Sequence, residues 1–193
     1  MTTHALTALI LTGGQGSRLG GRDKGLLDYG GQRLVDIALA NLGNCCDEIL
    51  ISANRHLDIY AQTGRRVLGD TRPDYPGPLA GIEAALSVVT TPLLLLLPVD
   101  CPRPPRDWPA RLLGALEDTP GAGLAVPHDG ERLQPLFALL RTRIAPTLSA
   151  FLDTGERRVQ AWVRAQAPVT VDFSDQPDAF TNINTPQDLA GHD

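Results

Sequence analysis

Leu9-Ile10-Leu11-Thr12-Gly13-Gly14-Gln15-Gly16-Ser17-Arg18-Leu19-Gly20-Gly21-Arg22-Asp23-Lys24 decides the fold. Ala8 to Leu11 is short, apolar and stopped by glycine, so it reads as a buried strand. Glycines at 13, 14, 16, 20 and 21 follow it, with Arg18 among them and Lys24 after them. Backbone N–H groups in such a run can converge on one centre, and the missing side chains let a phosphate come close. Arg18 adds a planar fork of donors and Lys24 a mobile point charge. Two familiar patterns fail. No Gly-Lys-Ser/Thr closes the run, so it is not a P-loop, and Leu19 stands where a dinucleotide fingerprint starting at Gly14 needs its third glycine. A glycine-rich loop opening off a buried strand is nevertheless where α/β folds place ligands.

The same logic extends along the chain. Leu34, Ile37, Ala38 and Leu42 predict a helix over 33–42 that Gly43-Asn44 stops. Glu48 to Ser52 reads as a second buried strand ending in the polar tip Ser52-Ala53-Asn54-Arg55, and a helix is expected over 57–62. Arg66-Val67-Leu68 is a short strand followed by Gly69-Asp70. The stiff segment 71–81, rich in proline and glycine, opens a helix expected over 79–89, whose N-terminus is a natural anion site. Leu93 to Leu97 is uniformly apolar, as a central parallel strand covered on both faces should be. It runs into Pro98-Val99-Asp100-Cys101-Pro102, and a carboxylate at the end of a central strand suits Mg²⁺, which takes few carboxylates alongside substrate phosphates. Asp100 as a simple turn cap is the alternative. Cys101 has no histidine near it in sequence and reads as a small filler.

A helix over 108–117 comes next, and then His128-Asp129-Gly130 signals a hairpin between 123–126 and 133–140. Pro135 lies in the return strand, which should therefore be an edge or carry a bulge. Helices over 144–152 and 157–166 and a strand over 169–173 complete the body. In the tail, Thr185-Pro186 with Asp188 three residues on marks a helix start. Asn182 and Asn184 flank Ile183, so in an extended segment both amides face one side. Alternating strand and helix throughout, with no repeat or linker, predicts one three-layer α/β domain over 1–193 with a mainly parallel sheet and helices on both faces.

Leu-Thr-Gly-Gly, Ser-Arg-Leu-Gly-Gly and Asp-Lys-Gly-Leu-Leu together resemble the signature of nucleotidyltransferases with a Rossmann-like fold, and among them the molybdenum cofactor guanylyltransferases. A second region, from Asp70 through Asp74-Tyr75-Pro76-Gly77-Pro78-Leu79-Ala80-Gly81, resembles the same family more specifically. Thr12 and Leu19 replace the family's usual Ala and Met. The resemblance covers nearly the whole chain. It implies transfer of GMP from GTP to the molybdenum–molybdopterin cofactor, with pyrophosphate released. It places Leu11, Thr12, Gly13, Ser52 to Asn54 and Asp70 around the guanine nucleotide, and the Asn182–Asn184 segment on the pterin side. Lys24 and Arg18 would act on the triphosphate, and Asp100 would hold Mg²⁺. GTP and the pterin cofactor are the implied partners, together with molybdoenzyme maturation proteins. A cytidylyl- or sugar-phosphate nucleotidyltransferase and a non-catalytic cofactor-binding module are the other readings.

Composition narrows the field further. A net charge of −5 argues against a nucleic-acid binder, and scarce aromatics argue against stacking platforms for single strands. Cys45, Cys46 and Cys101 are odd in number and lack metal-ligand spacing, which fits a reducing cytoplasm. Ala5 to Leu11 is too short for a signal peptide's apolar region, and Leu93 to Leu97 falls far below the ~20 residues that span a bilayer.

Overall fold

A computed structural model describes residues 5–13, 22–72 and 77–190. Its centre is a seven-stranded sheet in the order β5-β4-β1-β6-β8-β7-β9. The strands are β1 (Leu6–Leu11), β4 (Glu48–Ser52), β5 (Arg66–Leu68), β6 (Leu93–Pro98), β7 (Leu124–His128), β8 (Leu139–Arg141) and β9 (Val169–Asp172). β1 pairs in parallel with β4 and β6, β4 with β5, and β7 with β9. β8 alone runs against its neighbours β6 and β7. Six strands therefore end at one edge of the sheet.

Side-chain alternation makes the three layers. Ala8 and Ile10 of β1 point into one core, with Leu93, Leu95 and Leu97 of β6, under α1 (Leu34–Leu42) and α4 (Trp108–Asp118). Leu9 and Leu11 point into the other, with Leu94 and Leu96, under α3 (Pro78–Leu86), α5 (Ala145–Asp153) and α6 (Val159–Ala165). Every residue of β1 and β6 is buried, and the two strands are apolar throughout except at Thr7, whose hydroxyl pairs with that of Thr91. α2 (Leu57–Ala61) and α7 (Pro186–Ala190) are single short turns of helix. At α7 the expected start holds: Asp188 Oδ2 accepts from the Thr185 amide at 2.8 Å, and the Asp188 amide donates to Thr185 Oγ1 at 3.3 Å. No helix among the described residues is long and apolar enough to cross a membrane.

One local expectation is revised. The strand after the 128–130 turn is central, between β6 and β7, rather than an edge. Pro135 is kept out of the ladder by a 3₁₀ turn, Pro135–Phe137, so only Leu139–Arg141 pairs. A small hairpin, β2 (Asp28–Tyr29) with β3 (Gln32–Arg33), also stands before α1. Gly30 and Gly31 turn it at φ of 60° and 81°, values that favour glycine.

Candidate active site

The carboxyl ends of β1, β4 and β5 and the N-terminus of α3 enclose a cavity of about 460 Å³, in the size range of small-molecule sites. Leu11, Thr12 and Gly13 form its floor as β1 leaves the sheet, Ser52 and Asn54 come from the end of β4, and Asp70 follows β5. Gly77 and Pro78 bring the first turn of α3, the positive end of its dipole, to the same wall. Thr12 is buried and locked to β4, its hydroxyl donating to the Ser52 carbonyl at 2.7 Å and its amide at 3.1 Å. Asn54 and Asp70 hold each other: Asn54 Nδ2 donates to Asp70 Oδ2, and the Asp70 amide donates to Asn54 Oδ1, both at 2.8 Å. Burial raises the Asp70 carboxyl above the usual range, and the Asn54 hydrogen bond opposes that shift.

Beside the cavity, Lys24 Nζ lies 2.6 Å from Asp100 Oδ2, in a pair 23% and 16% exposed. The same ammonium reaches Asn184 Oδ1 at 3.1 Å and the Ile183 carbonyl at 3.3 Å, so all three of its protons have acceptors. The Ile183 amide donates to the Asp100 carbonyl at 2.7 Å, which bolts the tail across the end of β6. Lys24 thus joins the start of the chain, the central strand and the tail at one point. Burial pushes the Cys101 thiol up to about 12, and it has no role as a thiolate at neutral pH.

Asn184 and Asn182 go different ways. Asn182 lines a second hollow of about 320 Å³, with Tyr29, Pro102, Arg103, Asp178, Thr181 and Asp188. Its Oδ1 is buried with no hydrogen-bond partner among the described residues. Arg18 lies outside the described residues, as do Asp74, Tyr75 and Pro76 of the second motif. Among the described residues no three or more His, Cys, Asp or Glu side chains cluster as metal ligands. A lone strand-end carboxylate fits Mg²⁺, whose remaining ligands are commonly phosphates and water.

Sequence reasoning missed Asp23. It lines the cavity and is bound by three groups: the Gly25 amide at 3.2 Å and the Tyr60 hydroxyl at 2.5 Å, both at Oδ1, and His56 Nδ1, 3.0 Å from Oδ2. Its place before Lys24 was the only signal available.

A family model described as the MobA-like NTP transferase domain matches residues 8–169. A molybdenum cofactor guanylyltransferase from Shewanella frigidimarina is 46% identical over 182 residues, covering 94% of this chain and 92% of the relative. One from Photobacterium profundum is 45% identical over the same length and coverage. Among solved structures, molybdopterin-guanine dinucleotide biosynthesis protein A from Archaeoglobus fulgidus superposes with a TM-score of 0.77 at 20% identity, covering 95% of each chain. The 2-C-methyl-D-erythritol 4-phosphate cytidylyltransferase of Thermus thermophilus follows the same fold, with a TM-score of 0.70, 20% identity and 95% coverage of each chain.

Proposed function

The chain belongs to the MobA-like NTP transferase family, and from that premise we propose that it transfers GMP from GTP to the molybdenum–molybdopterin cofactor. The observation that carries the reading is the cavity at the strand ends, flanked by a lysine–carboxylate pair that also touches the tail. Guanine and ribose would occupy the cavity among Leu11, Thr12, Gly13, Ser52, Asn54 and Asp70. The two bonds from Thr12 to the Ser52 carbonyl already fix that wall, so its donors and acceptors are held before the base arrives.

In the reaction, an oxygen of the acceptor's terminal phosphate attacks the α-phosphorus of GTP, the bond to the β-phosphate oxygen breaks, and pyrophosphate leaves. That acceptor oxygen is ionised at neutral pH, so the step needs no general base. The protein's part is in-line placement and neutralisation of charge. Lys24, with Arg18 of the glycine-rich segment, would hold the triphosphate. For Lys24 to do so, its ammonium must exchange Asp100 and Asn184 for phosphate oxygens, which would free the Asp100 carboxylate for Mg²⁺. The ion would supply Lewis-acid neutralisation of phosphate charge. The acceptor would lie against the tail, where the Asn182 hollow and Asn184 offer amides to a pterin edge.

The test is pyrophosphate release, with mass-spectrometric detection of the guanine dinucleotide product, in the presence of GTP, magnesium and the pterin cofactor. Turnover should require all three and should fall steeply when CTP replaces GTP, because a site with polar groups matched to guanine leaves them unpaired with another base. Equal rates with CTP would reassign the chain to a cytidylyltransferase. Binding without pyrophosphate release would make it a cofactor-binding module.

A further inference from the structure

Lys24 sits on a three-residue 3₁₀ turn, Lys24–Leu26, closed by the Leu26 amide to the Asp23 carbonyl at 3.2 Å and the Leu27 amide to the Lys24 carbonyl at 3.1 Å. So short a turn has little stability of its own. Asp23 caps it, and Asp23 is itself held from outside. Tyr60 of α2 is fully buried, and its hydroxyl donates to the same Oδ1 that caps the Gly25 amide. The carboxylate side chain is only 9% exposed, and its other oxygen faces His56, the residue before α2, which is 46% exposed. Gly25 adds a second geometric sign: a Cβ at that position would run into the Tyr60 hydroxyl, so the turn rests directly on the ring.

We propose that Tyr60 is a positioning residue for Lys24, acting through the Asp23 carboxylate. The proposal rests on Lys24 serving the nucleotide. Lysine is a flexible four-carbon stem, and its head must move from Asp100, Asn184 and the Ile183 carbonyl onto phosphate. A fixed Cα limits where that head can travel. The α2 segment supplies the fixed point, because the Tyr60 ring is fully buried and its hydroxyl donates to the carboxylate oxygen that also caps the turn. The same segment begins just past the polar tip that lines the cavity, so the cavity wall and the turn that carries the lysine are linked through α2.

The experiment is a double-mutant cycle read by calorimetric binding of magnesium–GTP to the whole protein. Tyr60→Phe keeps the ring and removes the hydroxyl, and it should weaken GTP binding by about 5–10-fold while the thermal midpoint stays near wild type. In a Lys24→Met background the same Tyr60→Phe change should have no further effect. Asp23→Asn, which keeps an acceptor for Gly25 and Tyr60 but loses the charge, should weaken binding less than Asp23→Ala, which should lose as much as Lys24→Met. Normal GTP binding by Tyr60→Phe would overturn the proposal, as would an equal loss in both backgrounds, which marks a merely structural effect. If Tyr60→Phe does not fold, the Asp23→Asn and Asp23→Ala pair decides: equal weakening by both overturns it. Intact GTP binding by Lys24→Met is a separate result, and it would remove the nucleotide reading on which the proposal stands.

Discussion

Asp70 is a carboxylate kept partly out of water with one amide for company, and its raised pKa means the folded state favours its protonated form. For an acid shifted this way, the group's contribution to stability declines as pH rises from the unfolded value near 4 through the higher folded one. At neutral pH its charge is a cost. Asp70→Asn should therefore raise the thermal midpoint at pH 7, by about 2–4 °C for each kcal/mol recovered, and the gain should vanish near pH 3. The same variant should bind GTP more weakly, a trade of function for stability. A midpoint that falls at pH 7 would refute the assignment of burial as the dominant influence. Asp100→Asn tests the other carboxylate. It breaks a partly exposed ion pair, so stability should drop by no more than about 1 kcal/mol. Turnover should fall on the order of 10³-fold, since the charge removed is proposed to serve the reaction. Near-normal pyrophosphate release from folded Asp100→Asn protein would end that role. Asp100 was visible in the sequence because it closes an apolar central strand, and Asp70 because it opens the second stretch that resembles the family. The Asp23–Tyr60–His56 set was not: its members meet across 33 and 37 residues, and no spacing rule joins them.

At the scale of elements, α3 approaches β4 closely enough that Gly81 has no room for a side chain; a Cβ there would strike Ser52. Gly81→Ala should cost about 1–3 kcal/mol by overpacking and should push the helix away from the cavity wall. Adding Ser52→Ala should recover part of the lost midpoint in a thermal melt, and no recovery would place the strain elsewhere. α3 is also tied to α5 through Arg72, which forks onto Glu83 at 2.6 and 2.8 Å and reaches Asp153 at 2.8 Å. The Arg72 guanidinium holds the Glu83 carboxyl below the usual range. Its share of stability is thus complete above the ordinary glutamate value of about 4.3 and is lost as pH falls through the folded value. The difference in melting temperature between wild type and Glu83→Gln should be constant from pH 6 to 7 and close below about pH 4. Most elements were readable in the sequence, because apolar periodicity and glycine or proline stops mark helices and buried strands locally. The position of β8 was not, since strand order is a tertiary choice; Pro135 correctly signalled a broken ladder, but the break is a 3₁₀ turn upstream of a central strand. The β2–β3 hairpin escaped because each of its strands is only two residues long.

Across the whole molecule, one edge of the sheet carries a nucleotide-sized cavity towards β5, and the tail crosses the end of β6 through the Ile183–Asp100 bond. Lys24 bridges the two through Asn184. That bridge separates two amides which the sequence alone set side by side. Asn184 shares the lysine proposed for the triphosphate, whereas Asn182 faces its own hollow with an unpaired buried oxygen. Single changes should therefore be unequal. Asn182→Ala should weaken pterin-cofactor binding by ~1–3 kcal/mol, roughly 5–150-fold, because the acceptor loses a hydrogen-bonding partner. It should leave GTP affinity untouched. Asn184→Ala should weaken the acceptor as well, but it also releases one of the three contacts that hold Lys24 away from phosphate, so GTP affinity should rise slightly or stay level and should not fall. Separate titrations of each variant with magnesium–GTP and with the pterin cofactor give the answer. If both variants lower GTP affinity in parallel, the tail braces the nucleotide site and the acceptor binds elsewhere; if the pterin still binds normally to both, the segment is only the connection that carries the chain from β9 to α7.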